Sequence, residues 1–229
     1  LIIVIIILMG LSIAMLASVS YPKGKREFKS SYYFVVRQAV WFVIGGIVFW
    51  ITSNFKYTWY KKIKLHLYVF GLILLVAVLF SREVNGATRW FSFAGFNMQP
   101  SELAKLIIII YLAGIIDFCE KRKIKPSKYA FFARLMVPLM VYIILIIAER
   151  AFSSTVQIAA IGMVMIFVSG VNLFHFFTTV IIVGGAGIIS ILSTPYRMKR
   201  FMGFKSSEAS YQAKQSLIAI GSGKLIGKF

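Results

Sequence analysis

Residues 1–22 contain no charged side chain. A membrane-spanning helix needs about 20 mostly apolar residues, so this opening stretch is long enough for one. The pattern recurs. Arg37 and Lys56 enclose 18 uncharged residues, Lys64 and Arg82 enclose 17, and Arg150 and Arg197 enclose 46. The last stretch has room for two helices, divided at the polar joint Ser169-Gly170-Val171-Asn172. Across 229 residues, 59% are hydrophobic and 14% are charged. A soluble domain carries about 45–50% apolar and about 25% charged residues. The chain is expected to be a polytopic membrane protein, which excludes a soluble enzyme or a soluble acidic binding module. The opening run is too long for a signal peptide and no small-residue cleavage site follows it.

Two further spans are short of apolar residues. Lys105 and Asp117 enclose only 11 uncharged residues, roughly half a bilayer core at about 1.5 Å per residue. Helix 4 must therefore start near Pro100 or Ser101 and take Glu102 and Lys105 to the membrane rim or into it. Proline suits a first helical turn and serine can cap one. Arg134 and Glu149 enclose 14, so helix 5 is expected to begin near Tyr129 and to include Arg134. The expected fold class is all-α: a transmembrane helix bundle with seven spans and no sheet. Residues 1–193 form the bundle. Residues 194–229 begin a hydrophilic segment after the seventh span.

Charge sets the orientation. Lys and Arg number 26 against 7 Asp and Glu, a net charge of +19. Segments 54–64, 117–134 and 170–174 lie on one side and carry ten Lys and Arg in 34 residues. The opposite side carries sixteen over more than twice the length. By density the first side is cytoplasmic, and the outer side is still unusually basic. Cys119 is the only cysteine, which rules out an internal disulfide framework and a multi-cysteine metal site. No dinucleotide, Walker, zincin or serine-hydrolase pattern occurs. His66 and His175 fall near cytoplasmic helix ends, where an interfacial anchor is the better reading. The chain begins at Leu1 inside an apolar run and stops at Phe229 inside a basic, glycine-rich stretch, and is expected to be part of a longer protein.

The chemistry is expected where the second outer segment enters helix 4. It reads Asn85-Gly86-Ala87-Thr88-Arg89-Trp90, then Gln99-Pro100-Ser101-Glu102-Leu103-Ala104-Lys105-Leu106. Glu102 and Lys105, three residues apart, share a helix face. Ionisable groups at membrane depth are costly and usually face a bundle interior or a wet cavity. Two readings stay open: an ion pair that only anchors the helix at the interface, or an outward-opening polar cavity lined by Arg89, Gln99, Ser101, Glu102 and Lys105.

These residues resemble the signature of the SEDS family (FtsW/RodA/SpoVE), which reads N-G-A-x-R-W followed by Q-P-S-E-F-A-K-L. A second match lies about 90 residues on. It comprises Tyr196, Arg197 and Arg200, then Tyr211-Gln212 and Gln215-Ser216-Leu217 through Gly223, against Y-R-x-x-R and Y-Q-x-x-Q-S-L-x-A-I-G-S-G. The motifs cover about residues 85–106 and 195–227; at the level of spans the likeness covers the whole chain. Two departures stand out. The family's Q-P-D-x-G-T after helix 5 is replaced by Glu149-Arg150-Ala151-Phe152-Ser153-Ser154-Thr155, where Ser153 or Ser154 is expected to cap helix 6. The glycine usual after G-S-G is Lys224.

The resemblance implies a ten-span peptidoglycan glycosyltransferase of the bacterial cytoplasmic membrane, acting in division, elongation or sporulation. Its substrate is lipid II, the undecaprenyl-pyrophosphate-linked disaccharide-pentapeptide, polymerised on the outer face. Its partner is a class B penicillin-binding protein, a transpeptidase; nucleic acid is not involved. The catalytic aspartate of the family lies in an H-T-D-F motif of the large extracellular loop between spans 7 and 8. That motif does not occur here, so no catalytic residue is expected within these residues and residues 194–229 are only the start of that loop. The basic outer face then has a reason: cations hold the pyrophosphate and stabilise the leaving group. Arg197 and Arg200 are expected to contact phosphate. Tyr211, Gln212, Gln215 and Ser216 fall on one face of a short helix around 210–220 that suits sugar hydroxyls. The cofactor stays open, a divalent cation being one option. The alternatives are a lipid II transporter (flippase) or a scaffold for the transpeptidase.

Overall fold

The computed structural model describes residues 1–81, 88–93, 96–126, 129–192 and 211–223. Its helices, in chain order, are α1 (Ile2–Phe28), α2 (Tyr33–Asn54), α3 (Tyr57–Leu79), α4 (Pro100–Lys121), α5 (Tyr129–Ala148), α6 (Phe152–Val168), α7 (Leu173–Leu192) and α8 (Tyr211–Gly223). Four of them, α1, α2, α3 and α5, are long and apolar enough to cross a membrane; α6 and the Leu173–Ile182 part of α7 are shorter apolar helices. This is the architecture of a polytopic helical membrane protein.

Packing divides the chain into two units, Leu1–Leu65 and His66–Phe229. In the first, α1 runs on past Pro22, where the apolar stretch ends, and continues to Phe28. It closes on Lys29, whose φ of 54° is left-handed. Gly24 is required there, because a Cβ would sit 2.7 Å from the Ser30 carbonyl oxygen. The Phe28 ring stacks on Tyr33 at 3.9 Å between centroids, which fixes the turn into α2. No residue of α2 is buried. Protein does not cover its apolar surface, an arrangement that costs little where lipid is the solvent.

The second unit is built around α5. Nine of its residues are buried, among them Leu135, Leu139, Tyr142 and Ile146, which recur at helical spacing along one stripe. They pack with Ile108 and Leu112 of α4, Ile158 and Ile166 of α6, and Leu75 of α3. Polar groups stitch the same core. Tyr142 Oη donates to the Tyr68 carbonyl at 2.9 Å, and Tyr68 Oη donates to the Pro138 carbonyl at 3.1 Å. Helices approach closely at Gly162, where a Cβ would lie 2.4 Å from the Leu139 methyls. The α6–α7 joint falls at the predicted residues. Gly170 takes φ +78°, and Asn172 Oδ1 accepts the Phe174 N–H at 2.9 Å to start α7.

One expectation is corrected. The chain is not free of sheet: Phe91–Phe93 pairs antiparallel with Phe96–Met98, with Phe91 opposite Met98. Strands of three residues are too short to leave a period-two pattern in a sequence. The hairpin hands the chain directly to the start of α4.

Candidate functional site

Helix α4 begins where the charge spacing requires. Gln99 is its extended N-cap and Pro100 occupies its first turn, where a missing N–H costs nothing. Ser101 is not the cap. It sits inside the helix, fully buried, and its hydroxyl accepts a hydrogen bond from Gln99 Nε2 at 2.8 Å. The same amide nitrogen lies 3.2 Å from Ser154 Oγ on α6. Gln99 therefore clasps the starts of two helices together.

The expected helix-6 cap is likewise corrected. The N-cap of α6 is Ala151, with no side-chain bond to the helix backbone. Ser154 is turned toward α4 instead, and Thr155 Oγ1 donates back to the Ala151 carbonyl at 3.1 Å. Neither N-cap residue, Gln99 of α4 or Ala151 of α6, makes a side-chain capping bond to its helix.

One turn further along α4, Lys105 has two partners. Its Nζ lies 2.8 Å from Glu102 Oε2 and donates at 2.7 Å to Gln157 Oε1 on α6. The pair is thus formed but lopsided. The Lys105 side chain is 18% exposed and that of Glu102 is 57% exposed. Lysine faces the α4–α6 seam, whereas Glu102 stands at the rim.

Glu149 ends the turn leaving α5. It is fully buried, and neither carboxylate oxygen has a hydrogen-bond partner among the described residues. Desolvation pushes its carboxyl up to about 8. Arg150 beside it adopts φ 58°, the left-handed geometry that reverses the chain into α6. Arg89 is half-buried ahead of the hairpin, with a buried Nε that has no hydrogen-bond partner among the described residues. No bond among those residues ties it to Glu102 or Lys105.

The structure therefore brings Gln99, Ser101, Glu102 and Lys105 together. Gln215 and Ser216 lie exposed on α8, which spans Tyr211–Gly223 as a short helix. Tyr211 and Gln212 open that helix. Arg197 and Arg200 lie outside the described residues. No group of three His, Cys, Asp or Glu that could hold a metal occurs among the described residues. Sequence reasoning passed over Gln157 and the burial of Glu149, and gave Ser154 a capping role instead of its contact with Gln99. The available signal was Gln157 itself, an amide in an apolar span three residues after Ser154, and hence on the same face.

Comparison with known proteins settles the family. The family model for FtsW, RodA and SpoVE, described as cell cycle protein, matches residues 1–229. The chain belongs to the FtsW/RodA/SpoVE family. Relatives of this family member include a protein named probable peptidoglycan glycosyltransferase FtsW from Pseudoalteromonas translucida. The two are 33% identical over 230 residues, covering 97% of this chain and 57% of the relative. A protein of the same name from Marinobacter nauticus is 32% identical over 234 residues, covering 99% and 58%. The chain thus spans a little over half the length of these relatives. Among solved structures, a chain of a peptidoglycan synthase complex that coordinates polymerization and crosslinking superposes with TM-score 0.69 at 21% identity. That match covers 95% of this chain and 65% of the other. Thermus thermophilus rod shape determining protein RodA gives TM-score 0.57 at 20% identity, over 77% and 57%. These likenesses establish the polytopic fold.

Proposed function

We propose that the full-length protein polymerises lipid II on the outer face of the bacterial cytoplasmic membrane. The observation that carries this reading is Lys105, held between Glu102 and Gln157 at the converging starts of α4 and α6. In glycosyl transfer the acceptor 4-hydroxyl attacks the anomeric carbon of the donor sugar and undecaprenyl pyrophosphate departs. Negative charge grows on the leaving oxygen. A cation preorganised by two partners needs no rearrangement to meet that charge. Two helix N-termini without side-chain caps add partial positive charge at the same end. Glu102 at the rim holds the Lys105 ammonium in position before the anion arrives. Arg197 and Arg200 contribute further phosphate contacts, and α8 contributes sugar contacts through Gln215 and Ser216. The base that deprotonates the acceptor is an aspartate beyond Phe229.

In this reading seven spans precede the outer loop that begins at residue 194. The protein works with a class B penicillin-binding protein, as the complex among its structural neighbours suggests. The test is glycan synthesis from purified lipid II by the full-length protein with its transpeptidase. Lys105→Ala should abolish polymerisation while membrane insertion is retained, and Glu102→Gln should lower it. Full activity in both variants would reduce the pair to an anchor.

A further inference from the structure

The opposite end of α4 and α5 carries a feature that polymerisation does not use. Arg134 is the only charged side chain of α5. It lies five residues into that helix, about 7.5 Å along it at 1.5 Å per residue. It is exposed, and no ion pair or hydrogen bond joins it to any described residue. Beside it a groove of about 480 Å³ runs between the helices, lined by Tyr111, Ile115 and Phe118 of α4 and by Arg134, Val137 and Pro138 of α5. The groove is apolar apart from the guanidinium and the Tyr111 hydroxyl.

We propose that this groove holds an anionic phospholipid of the cytoplasmic leaflet, its phosphate on Arg134 and an acyl chain along Val137 and Ile115. Charge complementarity selects that occupant. An arginine at membrane depth without a counter-ion is costly, about 2.5–3.5 kcal/mol on the insertion scale. A phosphate diester supplies two oxygens to its fork. The rim is cationic too. The Arg122 guanidinium sits 5.2 Å over the Phe118 ring, and Lys123 and Lys125 follow in the same turn. Basic pockets between helices on the cytoplasmic side suit such headgroups. The backbone adds a second contact. Pro138 has no N–H to return to the Arg134 carbonyl four residues earlier, so that oxygen can accept a glycerol hydroxyl. A transmembrane helix in the groove would leave the guanidinium without a counter-ion.

The test is native mass spectrometry of the full-length protein released from bilayers of equal phosphatidylglycerol and phosphatidylcholine. The unaltered protein should retain one phosphatidylglycerol per chain in preference to phosphatidylcholine. Arg134→Gln should cut that retention at least tenfold, and Arg134→Lys should restore part of it. Val137→Trp fills the groove without altering charge and should displace the lipid as well, which keeps the test valid if Arg134→Gln fails to fold. Lys62→Gln, in another basic turn, should leave retention unchanged. Undiminished phosphatidylglycerol in Arg134→Gln, or equal retention of the two lipids by the unaltered protein, overturns the proposal. So does displacement by equimolar undecaprenyl pyrophosphate, which would assign the groove to the carrier lipid.

Discussion

The two ends of the α4–α5–α6 bundle use polar residues in opposite ways. At the end where α4 and α6 start, polar groups are bonded from helix to helix, Gln99 to Ser154 and Lys105 to the exposed Gln157, and Ser101 and Glu149 are fully buried. At the other end the charges are more numerous and lie on the periphery. Lys121 approaches Asp117 at 3.8 Å on the same helix, with side chains 68% and 39% exposed. Arg122 lies over a ring of its own helix, and Arg134 is exposed. The basic end is the one that charge density predicts to be cytoplasmic. The other end holds polar atoms where burial is expensive, and the proposed site is placed there. Charge density alone would point to the basic end instead.

The largest effect should come from Lys105. Lys105→Ala removes a cation that bridges α4 and α6, and polymerisation should fall by about 10²-fold or more. Arg122→Ala at the opposite end should leave the rate within about twofold. Equal losses in the two variants would erase the distinction between the ends.

Next is Glu149. Its folded carboxyl titrates at about 8 against an ordinary value of 4.5. Below about 4.5 it is protonated whether folded or unfolded, so its full contribution to stability is present there. Stability is then lost as pH rises toward 8, because the unfolded chain releases the proton first. Glu149→Gln cannot ionise. It should match the parent at pH 4.5 and exceed it at pH 8 by roughly 2–4 kcal/mol, at about 1.4 kcal/mol per pKa unit. Thermal unfolding in detergent across this range reads the difference. A loss at pH 8 instead of a gain would mean that Glu149 is ionised and paired in the folded protein.

A smaller effect is expected midway between the ends. A Cβ on Gly71 would lie 2.2 Å from the Tyr142 hydroxyl oxygen and 3.1 Å from Ile107 Cδ1. Gly71→Ala should cost about 1–3 kcal/mol. Tyr142→Phe alone should cost about 1 kcal/mol by losing its bond to Tyr68. Combined with Gly71→Ala it should cost less than the sum, because the clash disappears with the hydroxyl. Strict additivity would mean that the helices simply separate. The smallest effect belongs to Lys121→Ala, worth about 0–0.5 kcal/mol, as befits an exposed pair at 3.8 Å. A loss above 1 kcal/mol would show that the basic end contributes to stability as well as to topology.

Much of this was legible in one dimension. The charge gaps located the joint at 169–172 and the starts of α4 and α5. They did so because hydrocarbon tolerates few charges and a helix advances by a constant rise. The motif residues from Gln99 to Lys105 lie at the end where α4 and α6 start, which is the end of the proposed site. The contacts that join the starts of α4 and α6 were not legible. Lys105 and Gln157 are 52 residues apart, and Gln99 and Ser154 are 55 apart. Ser154 could equally have capped its own helix. The short hairpin left no periodic trace. The burial of Glu149 depends on how α5 turns into α6 through the left-handed Arg150. Sequence determined which segments are apolar and long enough to insert, because apolarity and length act one helix at a time. Only the tertiary structure decided which faces meet, because every face of these helices is apolar enough for lipid. Neighbours are then chosen by shape, as at Gly71 and Gly162, and by the few polar atoms that need each other.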